Sequence, residues 1–366
     1  MSMVKQTIRD DVQSTQAYVV APSEGMLKLD AMENPHELPE ALRAELADLL
    51  KDASLNRYPV PTLAGVESAL RASTSIPTAA KVMFGNGSDE LIDIIIRSCC
   101  MPGDCVLSPV PTFVMYAVSA QWAHARFVGV DLKPDFTLDI PATLKAISVN
   151  QPKVVFLAYP NNPTGVALTQ AEIVQIIQAA PGLVVVDEAY EAFAEDSFIS
   201  RLLEFPNVLV LRTLSKLGLA GIRLGYAVAS QPWIEQLDKV RPPYNVNILT
   251  RVVAEFALNH FEVITQQTRA LKDNRKTLSD SLRSLGQGRP EFQVYDSHAN
   301  FLLVRLNQAL EVFESLKKQG ILVKYLGKAH PLLQNCLRIT VSTESENQQF
   351  LNALQQALAQ IDAKAA

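Results

Sequence analysis

The chain has 366 residues, of which 48% are hydrophobic and 19% charged, with a formal net charge of −5. That length accommodates one large domain plus a smaller one, and the composition is that of an ordinary globular protein. Mild acidity without a basic tract argues against nucleic acid as the main partner, and no apolar run reaches the roughly 18 residues that span a bilayer.

In chain order, the stretch Met1–Asp10 lacks the apolar core of a signal peptide, so a cytoplasmic location is expected. Segment 1–31 is too short to fold alone and is expected to pack on the C-terminal part. Short apolar runs then alternate with helix-like segments. Val82–Phe84, Cys105–Leu107, Val154–Ala158, Leu183–Val186, Leu209–Leu211 and Tyr226–Ala229 predict strands buried on both faces, with helices over Glu90–Cys100 and Thr169–Ala179. This rhythm predicts an α/β fold with a mostly parallel sheet flanked by helices.

From Arg251 the pattern changes to one long helix ending about Ser284. Alternating runs follow at Phe292–Tyr295, Asn300–Leu306, Ile321–Val323 and Leu337–Val341, with a helix over Ala309–Gln319. The expected division is a large domain over 32–250 and a smaller α+β domain built from 1–31 and 251–366. Cys99, Cys100, Cys105 and Cys336 show no paired Cys-x-x-Cys spacing, so reduced thiols rather than a metal site are expected.

The polar residues of interest fall where strands end. Asn161-Asn162 follow one apolar run, Asp187 the next and Lys216 a third. Ligands of such sheets gather at the carboxyl ends of strands, so the three point to one shared site. A lysine at the exit of a buried strand becomes nucleophilic, because desolvation and nearby cations favour its neutral amine. Thr213, Ser215 and Arg223 around it are phosphate donors. An amine that forms a Schiff base beside phosphate donors suits a phosphorylated aldehyde, pyridoxal phosphate. Gly85-Asn-Gly87-Ser88-Asp89 is either a plain turn or a second anion cradle, where a helix start offers unpaired N–H groups.

Tyr159-Pro-Asn-Asn162-Pro-Thr-Gly165, Asp187-Glu-Ala-Tyr190, Ser215-Lys216 and then Arg223 stand in an order that resembles the fold-type I, pyridoxal-phosphate-dependent aminotransferases along nearly the whole chain. The resemblance implies that Lys216 is the Schiff-base lysine, with Lys216, Asp187 and Tyr190 the catalytic set. Asp187 would face the ring nitrogen, and a carboxylate there keeps that nitrogen protonated. Asn162 and Tyr190 would serve the ring hydroxyl. Ser88, Asp89, Thr213, Ser215 and Arg223 would hold the phosphate, and Phe113 of Pro109-Val-Pro-Thr-Phe113-Val-Met-Tyr116 would stack on the ring. The loop from Lys216 to Arg223 is one residue shorter than in several aminotransferases.

Within that family the chain is similar to the histidinol-phosphate branch at Lys28–Pro35, Leu55–Pro59, Arg241–Asn247 and Gly320–Lys324. The branch implies that Tyr58 reaches the phosphate site of a neighbouring subunit, hence a homodimer with shared active sites. It implies that Arg338 grips the anionic end of histidinol phosphate and of glutamate or 2-oxoglutarate, since a guanidinium fork fits phosphate and carboxylate alike. Tyr18, Asn34, Asn300 and Tyr244 are further substrate candidates. Lys324 is another, standing where many relatives have arginine. An aromatic amino-acid aminotransferase and a threonine-phosphate decarboxylase remain open as alternatives.

Overall fold

The computed structural model describes residues 3–17, 21–60 and 62–365, so Tyr18 lies outside the described residues. Strand β1 (Leu27–Lys28) is followed by β2 (Lys81–Asn86), β3 (Cys105–Val110), β4 (Arg126–Asp131), β5 (Val154–Ala158), β6 (Leu183–Asp187), β7 (Val208–Thr213) and β8 (Leu224–Ala229). The C-terminal part adds β9 (Gln293–Val294), β10 (Phe301–Arg305), β11 (Ile321–Leu322), β12 (Lys324–Tyr325) and β13 (Cys336–Thr340).

Strands β2 to β8 form one sheet in the order β2-β8-β7-β6-β5-β3-β4. Only β8 runs against the rest, antiparallel to both β2 and β7; the other neighbours pair in parallel. The reason lies in the connection. Residues 214–223 hold two single 3-10 turns and no crossover helix, and a parallel return needs a longer covered crossover.

Alternation explains why the central strands read as unbroken apolar runs. Along β5, Val154 and Phe156 enter the core on one side of the sheet while Val155 and Leu157 enter the other. On the first side lies helix Ser88–Cys99, with Leu91, Ile92 and Ile95 buried against β2, β7 and β8. The expectation of burial on both faces fails at β2, where Val82 and Phe84 are half-exposed. An edge strand has one uncovered flank.

The C-terminal sheet, in the order β12-β13-β10-β9, is antiparallel throughout. Helices Phe261–Leu285, Ala309–Lys318 and Glu344–Ala365 supply Leu278, Val312 and Phe350 to its core. The long helix expected from Arg251 is two helices, Ile248–Asn259 and Phe261–Leu285, parted at His260. No proline or glycine marks that break. His260 Nδ1 instead hydrogen-bonds the Phe256 carbonyl at 2.9 Å and its ring packs on Phe256.

Within the run Ile321–Val323, only Ile321–Leu322 is a strand, β11, which joins β1 in parallel, while the following β12 joins β13. Thus Leu27–Lys28 does join the C-terminal part. Residues 9–15 go elsewhere: Arg9 donates to the Trp122 carbonyl, and Gln121 Nε2 donates to Thr15 Oγ1 and the Asp11 carbonyl. Helix Met115–Trp122, which they touch, flanks the seven-stranded sheet. Among the described residues no helix is long and apolar enough to cross a membrane. No group of three or more His, Cys, Asp or Glu side chains among them is placed to hold a metal ion.

Candidate active site

The site is built where β5, β6 and β7 end. Strand β7 is buried along its whole length, and one 3-10 turn, Ser215–Leu217, follows it. Gly218 ends that turn at φ 94°, a left-handed geometry that costs glycine little. Lys216 is thereby placed at the mouth of the strand. Its Nζ donates to the Ala31 carbonyl at 3.3 Å and stands 5.8 Å from the centre of the Tyr190 ring. Burial, then the charge of Arg338, pulls the ammonium down to about 8. A usable fraction of free amine therefore exists near neutral pH.

Asp187 closes β6 and is buried. Its Oδ2 accepts from the Tyr116 hydroxyl at 2.5 Å and its Oδ1 from the Ala189 N–H at 3.1 Å. Burial pushes the carboxyl up to about 6, against the lowering effect of those two donors. Both donors are neutral, so the carboxylate has use for a cation from the cavity.

Asn162 lies beyond β5 in a turn whose Asn161 side chain bonds Thr164, Thr112 and the Pro111 carbonyl. Asn162 Oδ1 accepts from Arg338 Nη1 at 2.6 Å. Tyr190 sits edge-on to Phe301, ring centres 5.2 Å apart, and burial raises its phenol far above the ordinary value.

On the opposite wall, Thr213 Oγ1 donates to Ser215 Oγ at 2.9 Å, and Arg223 Nη1 reaches the same Ser215 oxygen at 3.5 Å. Arg223 Nη2 also meets Asp89 at 3.3 Å. Helix Ser88–Cys99 begins there behind Gly87, which has no side chain to cap the first turn. A Cβ on Gly225 would lie 2.6 Å from the Ser88 nitrogen, so only glycine lets β8 approach the helix start so closely.

Lys216, Asp187, Asn162, Tyr190, Phe113 and the Ser88-Asp89-Thr213-Ser215-Arg223 group line one cavity of about 110 Å³. The residues present fit pyridoxal phosphate. A lysine that is partly unprotonated near neutral pH suits the aldehyde, a buried carboxylate with only neutral donors suits the ring nitrogen, and an uncapped helix start with hydroxyls and a guanidinium suits the phosphate.

The remaining candidates are placed differently. Arg338 and Lys324 are partners in the β12–β13 register and line an adjoining chamber of about 370 Å³, which shares Met32, Phe113 and Asn162 with the first. Asn300 is buried, its Nδ2 donating to the Met32 carbonyl at 3.0 Å. Asn34 stands behind Gly218, bonded to Gln267 and to the His36 N–H. Tyr58 and Tyr244 do not line this chain's cavity. They stack on each other with ring centres 4.7 Å apart, and Tyr58 is 81% exposed.

Five lining residues are not among the site candidates read from the sequence: Met32, Tyr116, Ala158, Pro160 and Ala189. Tyr116 had a signal, since it closes the segment Pro109–Tyr116 that also carries Phe113. Met32 had none.

The family model described as aminotransferase class I and II matches residues 24–354. A histidinol-phosphate aminotransferase of Cupriavidus pinatubonensis is 50% identical, covering 98% of this chain and 98% of its own length. One of Chromobacterium violaceum is 51% identical over 96% of this chain and 98% of its own. The solved histidinol-phosphate aminotransferase of Sinorhizobium meliloti, in complex with pyridoxal-5'-phosphate, superposes with a TM-score of 0.86 at 23% identity, over 97% of this chain and 98% of that one. With fold-type I architecture, a site fitted to pyridoxal phosphate and relatives matched nearly end to end, the chain belongs to the class I and II aminotransferases, among their histidinol-phosphate aminotransferases.

Proposed function

We propose that the protein exchanges an amino group between L-histidinol phosphate and 2-oxoglutarate, giving imidazole acetol phosphate and L-glutamate, a step of histidine biosynthesis. The observation that carries the reading is the shared cavity in which Lys216, Asp187 and Asn162 meet, with Arg338 anchored on Asn162. Curated relatives with half of their residues identical bear that enzyme's name.

Pyridoxal phosphate, when bound, supplies a carbonyl carbon that takes the amino group and a ring that withdraws electrons from the substrate's reacting carbon. The chain's residues do the rest. Lys216 would hold the cofactor, and its Nζ would carry the proton off the substrate carbon. Asp187 would keep the ring nitrogen protonated, and Tyr190 and Asn162 would donate to the ring oxygen. Thr213, Ser215, Arg223 and the N–H groups at Ser88 and Asp89 hold the phosphate.

Arg338 takes the anionic end of each substrate in turn, with Lys324 beside it as a second positive charge; Asn34 and Asn300 support the pocket. We assign the protein to the cytoplasm as a homodimer, in which Tyr58 and Tyr244, exposed on one chain, serve the neighbouring site. Residues 32–250 would form the large domain, and 1–31 with 251–366 the smaller one. Closure of the smaller domain would exclude water during the proton transfers.

Steady-state turnover decides the substrate. Histidinol phosphate with 2-oxoglutarate should give a far higher kcat/KM than phenylalanine or tyrosine, and preference for the aromatic acids would overturn the assignment. Product formation without any keto acid would point to a decarboxylase instead.

A further inference from the structure

The carboxylate at the end of β6 is held by a residue that the reading of the reaction leaves unused. Tyr116 is fully buried on helix Met115–Trp122, its ring stacked on Phe156 with centres 4.4 Å apart and planes within 9°. Phe113 meets its edge at 5.7 Å. This packing leaves the phenol one direction, and its oxygen ends 2.5 Å from Asp187 Oδ2. Burial and then the Asp187 charge push the phenol well above its ordinary value, so it stays protonated and acts as donor. With the Ala189 N–H on Oδ1, the carboxylate is gripped at both oxygens and cannot rotate about its last bond without breaking a buried hydrogen bond.

We propose that Tyr116 is a positioning residue for the amino-group transfer: its hydroxyl fixes the plane of the Asp187 carboxylate and keeps it ionised toward the ring nitrogen of the cofactor. The inference rests on the pyridoxal-phosphate reading of the cavity. Two donors on a carboxylate stabilise its charge most when no cation faces it. The Tyr116 bond therefore favours the state in which the ring nitrogen has lost its proton and Asp187 stands bare. Removing that bond should delay the loss of the shared proton to higher pH. It should also let the proton drift from nitrogen to carboxylate, weakening the electron sink.

The test uses holoenzyme loaded with cofactor labelled with ¹⁵N in its ring, titrated by NMR. In Tyr116→Phe, which keeps the ring stack and removes only the hydroxyl, the midpoint of ring-nitrogen deprotonation should rise by about one pH unit. The kcat should fall roughly tenfold to a hundredfold while the KM for glutamate stays within about twofold. A wild-type midpoint together with a wild-type kcat would overturn the proposal. Should that variant not fold, 3-fluorotyrosine placed at position 116 alone makes the donor stronger and should move the midpoint down; an unmoved midpoint there overturns it equally. Failure of the underlying reading looks different, because the labelled cofactor would then bind no better to wild type than to Lys216→Ala.

Discussion

Asn162 Oδ1 accepts a 2.6 Å hydrogen bond from Arg338 Nη1, across 176 positions of sequence, and so ties the exit of β5 to β13 of the C-terminal sheet. The same guanidinium donates to the Asp30 carbonyl at 2.8 Å and lies over the Phe301 ring. It is therefore a planar fork held in one orientation. Arg338→Lys keeps the charge and loses the fork, so the KM for glutamate and for histidinol phosphate should both rise about tenfold or more. Cofactor absorbance should be unchanged. A KM rise confined to one substrate would mean that the other is held elsewhere.

The carboxyl of Asp187 gives a pH-dependent prediction for the apoprotein. Burial raises it from 3.8 to about 6 on folding. A group raised in the folded state lends stability below its unfolded value, and that contribution is lost as pH climbs through the folded one. Above pH 6 the buried charge therefore costs the apoprotein roughly 3 kcal/mol. Asp187→Asn should melt higher than wild type at pH 8 and close to it at pH 4. The same variant should be nearly inactive as holoenzyme. An equal gain at both pH values would remove ionisation as the cause.

Gly225 tests the proposed phosphate wall. An added methyl would stand 2.6 Å from the Ser88 nitrogen and 2.7 Å from the Gly87 carbonyl carbon, both backbone atoms. Gly225→Ala should cost about 1–3 kcal/mol and displace the helix start. Equilibrium dialysis should show weaker cofactor binding. Gly221→Ala, with nothing within 4 Å of its methyl, is the control and should bind as wild type.

Behind the site, Arg212 Nη2 meets Glu188 Oε2 at 2.8 Å with both side chains buried, and the Phe198 N–H donates to the other oxygen of Glu188. Glu188→Ala would strand the guanidinium and should cost about 3–5 kcal/mol in urea unfolding. A loss below about 1 kcal/mol would mean that Glu191, 3.5 Å from Arg212, takes over the pairing.

The shared-site proposal is tested by mixing two inactive proteins. Lys216→Ala removes the proposed reacting amine, and Tyr58→Ala removes a ring that is 81% exposed on its own chain. If Tyr58 serves the neighbour, hybrid dimers contain one intact site and turnover should reappear after subunit exchange. No recovery, with exchange verified by a mass tag, would place Tyr58 outside the reaction.

What was legible in the sequence is local. The runs Val154–Ala158, Leu183–Val186 and Leu209–Leu211 lie within β5, β6 and β7, because a strand covered on both faces needs apolar residues at every position. Asn162, Asp187 and Lys216 stand next to those runs in the chain, so their gathering followed from the rule that such strands share one exit edge. Strand β4 escaped notice because its outer position leaves Arg126 and Asp131 exposed and mixes its pattern. The break at His260 escaped because no helix-breaking residue marks it; the His260 side chain bonds the Phe256 carbonyl that an unbroken helix would bond through the His260 backbone N–H.

Tertiary structure alone decided the rest. That β8 turns back against β7, that Lys324 faces Arg338 across two strands, and that Tyr116 meets Asp187 over 71 positions depend on which surfaces close on one another. Periodicity reports the environment of a residue and is blind to the identity of its neighbour. Sequence by itself determined the chemistry available, an amine, a carboxylate and phosphate donors at strand ends. Packing determined the geometry, because hydrogen bonds and charges act over a few ångströms while the residues that make them are scattered along the chain.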